Sequence, residues 1–249
     1  MACDACQSMM RFPVLSTEAL LELYEGMAGA HWADTELRGD QRCVRGLVEQ
    51  FRPATILDVG CGSGGLLAGL HNTECHGIEP GVAAACLAAA NGVTVLGSTI
   101  DAARGRTFDC VTAVDVLEHV ARPVEMARVM AGLVNRGGRL IISTGDPEHR
   151  IWRLLRSAFW YSSYQEHVTF ASAGALSNAL AECGLRLVQK RRTRHELRGA
   201  IDWLRKAASQ ISYAVHPALN MALCLSATPT ISGAGLFRDH MLLVFERAH

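Results

Sequence analysis

The stretch Ile56-Leu57-Asp58-Val59-Gly60-Cys61-Gly62-Ser63-Gly64-Gly65 decides the fold class. Ala54–Val59 is a short apolar run that ends in glycines, the pattern of a buried parallel strand. Gly64–His71 reads as a helix behind it. Glycines between a strand and a helix let a ligand touch main chain at the carboxyl end of the sheet, where open α/β folds bind ligands. Gly60, Gly62 and Gly65 also satisfy G-x-G-x-x-G, so a dinucleotide site has to be weighed.

Asp58 separates the alternatives. A carboxylate two residues before the first glycine would face a pyrophosphate with like charge. The same carboxylate suits a ligand that carries an ammonium or sulfonium cation. Glu79 ends the next strand about twenty positions after the glycine turn, where a carboxylate can accept hydrogen bonds from both hydroxyls of a ribose. One acid for a cationic amino-acid end and one for a ribose predict S-adenosylmethionine, and disfavour a nicotinamide-dependent oxidoreductase.

Outward from this motif the hydrophobic period alternates. Strands are expected at Glu74–Glu79, Val93–Gly97, Phe108–Val114 and Gly138–Thr144, with helices at Gly81–Asn91 and Arg122–Val134. That order is a series of βαβ units in a doubly wound, Rossmann-like sheet. Upstream, Ser16–Tyr24 and Arg38–Phe51 are helical, and Pro53 stops the second. Downstream come an aromatic segment (Gly145–Phe170), a helix near Ser172–Cys183 and strands at Leu185–Arg192 and His240–Arg247. The chain 1–249 is therefore read as a single α/β domain. It has an N-terminal helical segment (1–52), a cofactor-binding half (53–145) and an acceptor or cap half (146–249) with an insertion at 196–237. Within that insertion Ala207–Phe237 holds no Asp, Glu, Lys or Arg, yet Gln210, His216, Pro217, Asn220 and Pro229 interrupt it, so no membrane span is expected.

ILDVGCGSGG, HGIEP, FDCVTAVDVLEHV and GGRLIIST resemble the successive motifs of class I S-adenosylmethionine-dependent methyltransferases. DVLEHV followed by Pro123 is similar to the ubiquinone-biosynthesis type of O-methyltransferase and its small-molecule relatives. The resemblance covers roughly residues 54–145 and implies a seven-stranded sheet whose last strand runs antiparallel, with an inserted helical cap. It also implies cofactor contacts at Asp58, Gly60, Cys61, Gly62, Glu79, Pro80, Thr99, Ile100, Asp115 and Val116. Ser98 departs from the pattern, since relatives often carry an acid there near the adenine.

Composition limits the partners. The chain is 49% hydrophobic, with 24 basic against 24 acidic side chains, so it supplies no surplus charge for nucleic acid and lacks the signature of disorder. The nine cysteines are scattered, and the N-terminus has no charged region followed by an apolar one, which points to a reduced, cytoplasmic protein without a secretory signal. Cys3 and Cys6 form a single C-x-x-C at an end expected to fray; with only His31 and Cys43 remotely available, no metal site is expected. Lys190-Arg191-Arg192-Thr193-Arg194-His195 reads as a solvated strand end or an attractor for an anionic substrate or membrane surface. A peripheral membrane contact and a homodimer are left open.

A sulfonium is already an activated methyl donor, so the protein must align an acceptor and, for a hydroxyl, assist loss of its proton. His119 and His167 are the catalytic candidates, His149 a weaker one beside the Asp146-Pro147-Glu148 turn. Glu118 and Glu166 could each orient a neighbouring imidazole or together hold a metal, although no ligand spacing here is diagnostic. Trp152, Phe159, Trp160, Tyr161 and Tyr164 either line an acceptor pocket or pack as core. O-methylation of a small molecule is the leading expectation. C- or N-methylation of a sugar or secondary metabolite, or non-catalytic binding of the cofactor, is the alternative.

Overall fold

The computed structural model describes residues 1–12, 19, 37–156, 159–162, 164, 166–195 and 238–248. The helix expected at 16–24 and the insertion 196–237 lie outside the described residues, apart from residue 19.

The main sheet is built from β1 (Thr55–Val59), β2 (Glu74–Ile78), β3 (Thr94–Gly97), β4 (Phe108–Val114), β5 (Val134–Gly145), β6 (Leu185–Thr193) and β7 (His240–Arg247). Their spatial order is β3-β2-β1-β4-β5-β7-β6. β1 pairs parallel with β2 and β4, and β4 with β5, whereas β7 runs antiparallel to both β5 and β6. The strand order reverses at β1 and β4, and ligands of open α/β sheets bind beyond the carboxyl ends of strands at such a reversal.

Helices α1 (Gly39–Phe51), α2 (Val82–Ala90), α3 (Pro123–Gly132), α4 (Arg150–Leu155) and α5 (Ala173–Glu182) surround the sheet. Because successive strand residues point to opposite faces, the sheet carries two cores. Leu57, Val111, Leu140 and Phe245 pack with Met130 of α3 and Leu176 of α5 on one face. Ile56, Cys110, Ile141 and Val244 pack with Val44 and Val48 of α1 on the other. The same parity puts Asp58 and Thr112 on the α1 face, opposite each other in register. Phe245 is fully buried and sits between Leu140 and Leu187. Phe245→Ala should lower unfolding stability by ~3–5 kcal/mol in denaturant titration, while a loss under ~1 kcal/mol would mean that this core collapses around the void.

Two expectations are corrected. Gly64–His71 is not a helix; the chain passes through it in turns. Gly64 adopts φ +80°, away from the helical φ near about −63°, and a Cβ there would stand 2.9 Å from Val93 Cγ2. The N-terminus does not fray either. Met9–Met10 pairs antiparallel with Thr169–Phe170, and Arg11 donates to the carbonyls of Ser162 and Tyr164 at 2.7 and 3.0 Å.

The aromatic segment resolves toward packing. Trp152, Phe159, Trp160 and Tyr161 are buried against one another and Phe170. Gly145 admits them, since a Cβ there would stand 2.6 Å from Tyr161 Cε1. Among the described residues, no helix is long and apolar enough to cross a membrane.

Candidate cofactor and acceptor site

β1 delivers Asp58 to the buried end of the strand, where the Thr112 hydroxyl of β4 donates to its Oδ1 at 2.6 Å. Burial pushes the Asp58 carboxyl up to about 7; the Thr112 bond opposes this and the nearby Glu79 charge adds to it. A carboxyl in that position gains from a cation.

The turn that follows passes close under the end of β4. Gly60 has φ +72°, and a Cβ there would lie 2.7 Å from Val116 Cγ2, so only glycine fits. Glu79, just past β2, holds the turn: Oε2 accepts from the Gly62 N–H at 2.9 Å and Oε1 from the Gly81 N–H at 2.7 Å. Burial raises the Glu79 pKa, while both amide bonds favour its charged form. Each oxygen keeps a second lone-pair direction for a further donor such as a hydroxyl. The Cys61 thiol is packed against Gly77, and burial pushes its pKa up, aided by Asp58 and Glu79, so it is no nucleophile. Pro80 follows Glu79, and Thr99 and Ile100 begin the short 3-10 turn Ile100–Ala103 after β3, on the same rim.

Beyond β4 the polar groups become dense. Asp115 has φ +52°, an uncommon conformation for a residue with a Cβ, and its N–H donates to Ser143 at 2.9 Å. Its carboxylate accepts from Arg38 Nη2 and from Tyr161 OH (3.1 Å), with His195 Nε2 at 3.3 Å and His240 Nε2 at 3.6 Å. Burial would raise its pKa, but Arg38, His195 and His240 hold it well below the usual carboxylate range. The one Tyr161 hydroxyl proton is shared between Asp115 and Glu118 Oε1, and the other Glu118 oxygen accepts from Thr144 at 3.0 Å. Burial, then the Asp115 charge, pushes Glu118 up to about 8.

The two candidate bases come together. The rings of His119 and His167 lie 4.7 Å apart, edge to face, and ligand atoms of Glu118, His119 and His167 fall within 4.8 Å of one another. The Tyr161 carbonyl accepts from His167 Nδ1 at 2.7 Å, which leaves Nε2 as the lone-pair nitrogen. The segment is fixed by main chain, because Val168 N–H donates to the Glu118 carbonyl at 2.8 Å. Burial lowers the His119 pKa to about 4 and holds His167 well below its ordinary value, so both imidazoles are neutral at pH 7. His149 lies at the start of α4 behind the Asp146 turn, where the Glu148 N–H donates to Asp146 Oδ1 at 3.0 Å.

Several functional groups escaped sequence reasoning. Arg38 and Asp40 open α1, and Asp40 is completely buried with neither oxygen hydrogen-bonded. His240 begins β7; its Nδ1 donates to Asp239 Oδ1 at 3.0 Å, and Trp160 Nε1 donates to Asp239 Oδ2 at 2.7 Å. Burial works against a charged His240, but Asp239 and Asp115 outweigh it and raise the pKa to about 9. The basic strand end is only partly solvated. Lys190 pairs with Glu148 and Arg192 with Asp146, while His195 turns inward to Asp115. An Asp-His pair opening a strand was the one local signal available for this cluster.

Comparison with known proteins places this arrangement. Residues 31–190 match the family described as a methyltransferase domain. A ubiquinone biosynthesis O-methyltransferase of Serratia proteamaculans is 36% identical over 110 residues, covering 39% of this chain and 45% of that enzyme. The chain thus spans under half the length of the curated relatives it matches. An O-methyltransferase family protein from Burkholderia thailandensis superposes with TM-score 0.57 at 16% identity, over 93% of this chain and 58% of that one. Magnesium protoporphyrin IX methyltransferase from Synechocystis, with bound SAH, superposes with TM-score 0.55 at 16% identity, over 84% of each chain. With the sheet order, the glycine turn and the family match in agreement, the chain belongs to the methyltransferase domain family.

Proposed function

We propose that this chain transfers the methyl group of S-adenosylmethionine to a hydroxyl of a small molecule, with His167 as the base. The observation that carries the reading is the pairing of a buried, cation-seeking Asp58 with a turn-bracing Glu79 across a glycine that no larger residue can replace. The cofactor supplies a methyl group on a sulfonium, ready for in-line displacement. Asp58 takes its ammonium end and Glu79 its ribose hydroxyls. Cys61, Pro80, Thr99 and Ile100 line the rim, and Asp115 and Val116 close it from β4. His167 Nε2 accepts the proton that the acceptor oxygen loses as it takes the methyl group. A hydroxyl acceptor is supported by the relatives named as O-methyltransferases.

Incubation with methyl-labelled S-adenosylmethionine and a panel of phenols, alcohols, amines and sugars tests the activity. Label on oxygen is expected; label on nitrogen or carbon alone would overturn the acceptor class, and no labelled product with any acceptor would overturn the methyl-transfer reading.

Asp58 adds a pH dependence. Its carboxyl ionises near 3.8 when solvated and near 7 in the folded chain. Between those values the ligand-free folded state keeps a proton that the unfolded state has lost, so this group's effect on stability becomes adverse as pH rises from about 4 to about 7. A cationic ligand favours the ionised carboxylate. Cofactor affinity should therefore rise with pH up to about 7, with proton release on binding at pH 6, seen by calorimetry in buffers of different ionisation enthalpy. Asp58→Asn should abolish that dependence; a wild-type affinity flat from pH 5.5 to about 7.5 would contradict the anchoring role.

A further inference from the structure

We propose that Asp115, His195 and His240 form a binding site for a single divalent transition-metal ion of the zinc class. The three residues come from the end of β4, the segment after β6 and the first position of β7. Their ligand atoms lie within 4.8 Å of one another. The two separations to the carboxylate are 3.3 Å for His195 Nε2 and 3.6 Å for His240 Nε2. Two ligands of a tetrahedral zinc with bonds of ~2.0–2.1 Å stand ~3.3–3.4 Å apart, so small side-chain shifts close the site.

The decisive atom is His240 Nε2. The ring has no solvent exposure, and this nitrogen faces Asp115 Oδ1 without a hydrogen bond. Its other nitrogen donates to Asp239, which is itself fixed by Trp160. A carboxylate behind a histidine, aiming the ring's other nitrogen at the site, is the outer support that histidine ligands of metals use, and the ion takes the place of the proton on that nitrogen. Trp160 and Tyr161 wall the site, with ring centroids 6.1 and 4.6 Å from His240. Asp40, Asp115 and Asp239 gather around the two imidazoles and the Arg38 guanidinium, and Asp40 has no hydrogen bond although it lies 3.6 Å from Arg38 Nε. A surround this rich in carboxylates favours a cation.

Three protein ligands leave a fourth position open, as in catalytic zinc sites. An acceptor hydroxyl bound there would ionise more readily. That role rests on the methyl-transfer reading; the metal site itself does not.

Titration of the metal-free full chain with Co2+ tests the site independently of turnover. The wild type should bind about one ion per chain, with the visible absorption of a tetrahedral centre, and zinc should displace it. His240→Ala and His195→Gln should each lose the band and at least tenfold in affinity, and Asp239→Asn about tenfold. His167→Ala, and a Cys3→Ser/Cys6→Ser double variant, should retain the band. Circular dichroism reports folding; if the buried His240→Ala does not fold, His195→Gln and Asp239→Asn decide the question. A wild type without the band, a band that survives in His195→Gln, or one lost in His167→Ala or in the cysteine variant would overturn the proposal.

Discussion

Glu79→Ala is expected to weaken binding of S-adenosylhomocysteine about a hundredfold, ~2.7 kcal/mol, in isothermal titration. The loss has two sources. The carboxylate that would accept the ribose hydroxyls disappears, and hydrogen bonds to charged acceptors are worth ~1.5–3 kcal/mol. The Gly62 and Gly81 amides also lose the group that holds them, so the glycine turn is no longer preset for the ligand. Those amides sit on a partly exposed rim and can turn to water, so the melting temperature should move little. Glu79→Gln keeps the shape and one acceptor but directs an NH2 at the other amide, and should lose about tenfold. An unchanged dissociation constant in both variants would remove Glu79 from cofactor recognition.

His167→Ala should reduce turnover ~10²–10⁴-fold while cofactor affinity stays within about twofold. The Tyr161 carbonyl fixes the tautomer, and burial keeps the ring neutral far below the pH where a solvated imidazole would protonate. The acidic limb of kcat in the wild type should therefore not fall near pH ~6.5, the ordinary histidine value. His119, held at about 4 and packed edge-on against His167, shares that behaviour. If His167→Ala matches wild-type turnover at every pH, His167 is not the base.

The readable part of this molecule was local in the chain. Asp58, Gly60, Gly62 and Glu79 lie within two adjacent parallel strands and the turns that join them, where spacing along the sequence maps directly onto geometry at the sheet edge. The strands themselves were legible because alternation and apolar runs report burial on the two faces. The helix expected after the glycine turn failed because apolar spacing carries no information on φ, and Gly64 takes a left-handed conformation there. The Arg38–Asp115–His195–His240 cluster was not legible for a different reason. Its members are dispersed from the start of α1 to the start of β7, and the β4-β5-β7-β6 order with α1 packed on it brings them together. Thr144 and Tyr161 likewise acquire their roles through contacts with Glu118 that no sequence spacing encodes. The aromatic segment left pocket and core both open, and mutual burial of its rings favours core.

A crystal structure of the chain grown with S-adenosylhomocysteine tests the account most directly. The prediction is one ligand over the glycine turn, its ammonium group within hydrogen-bond reach of Asp58 and both ribose hydroxyls on Glu79. A ligand elsewhere, or one seated there with either carboxylate turned away from it, would contradict the account.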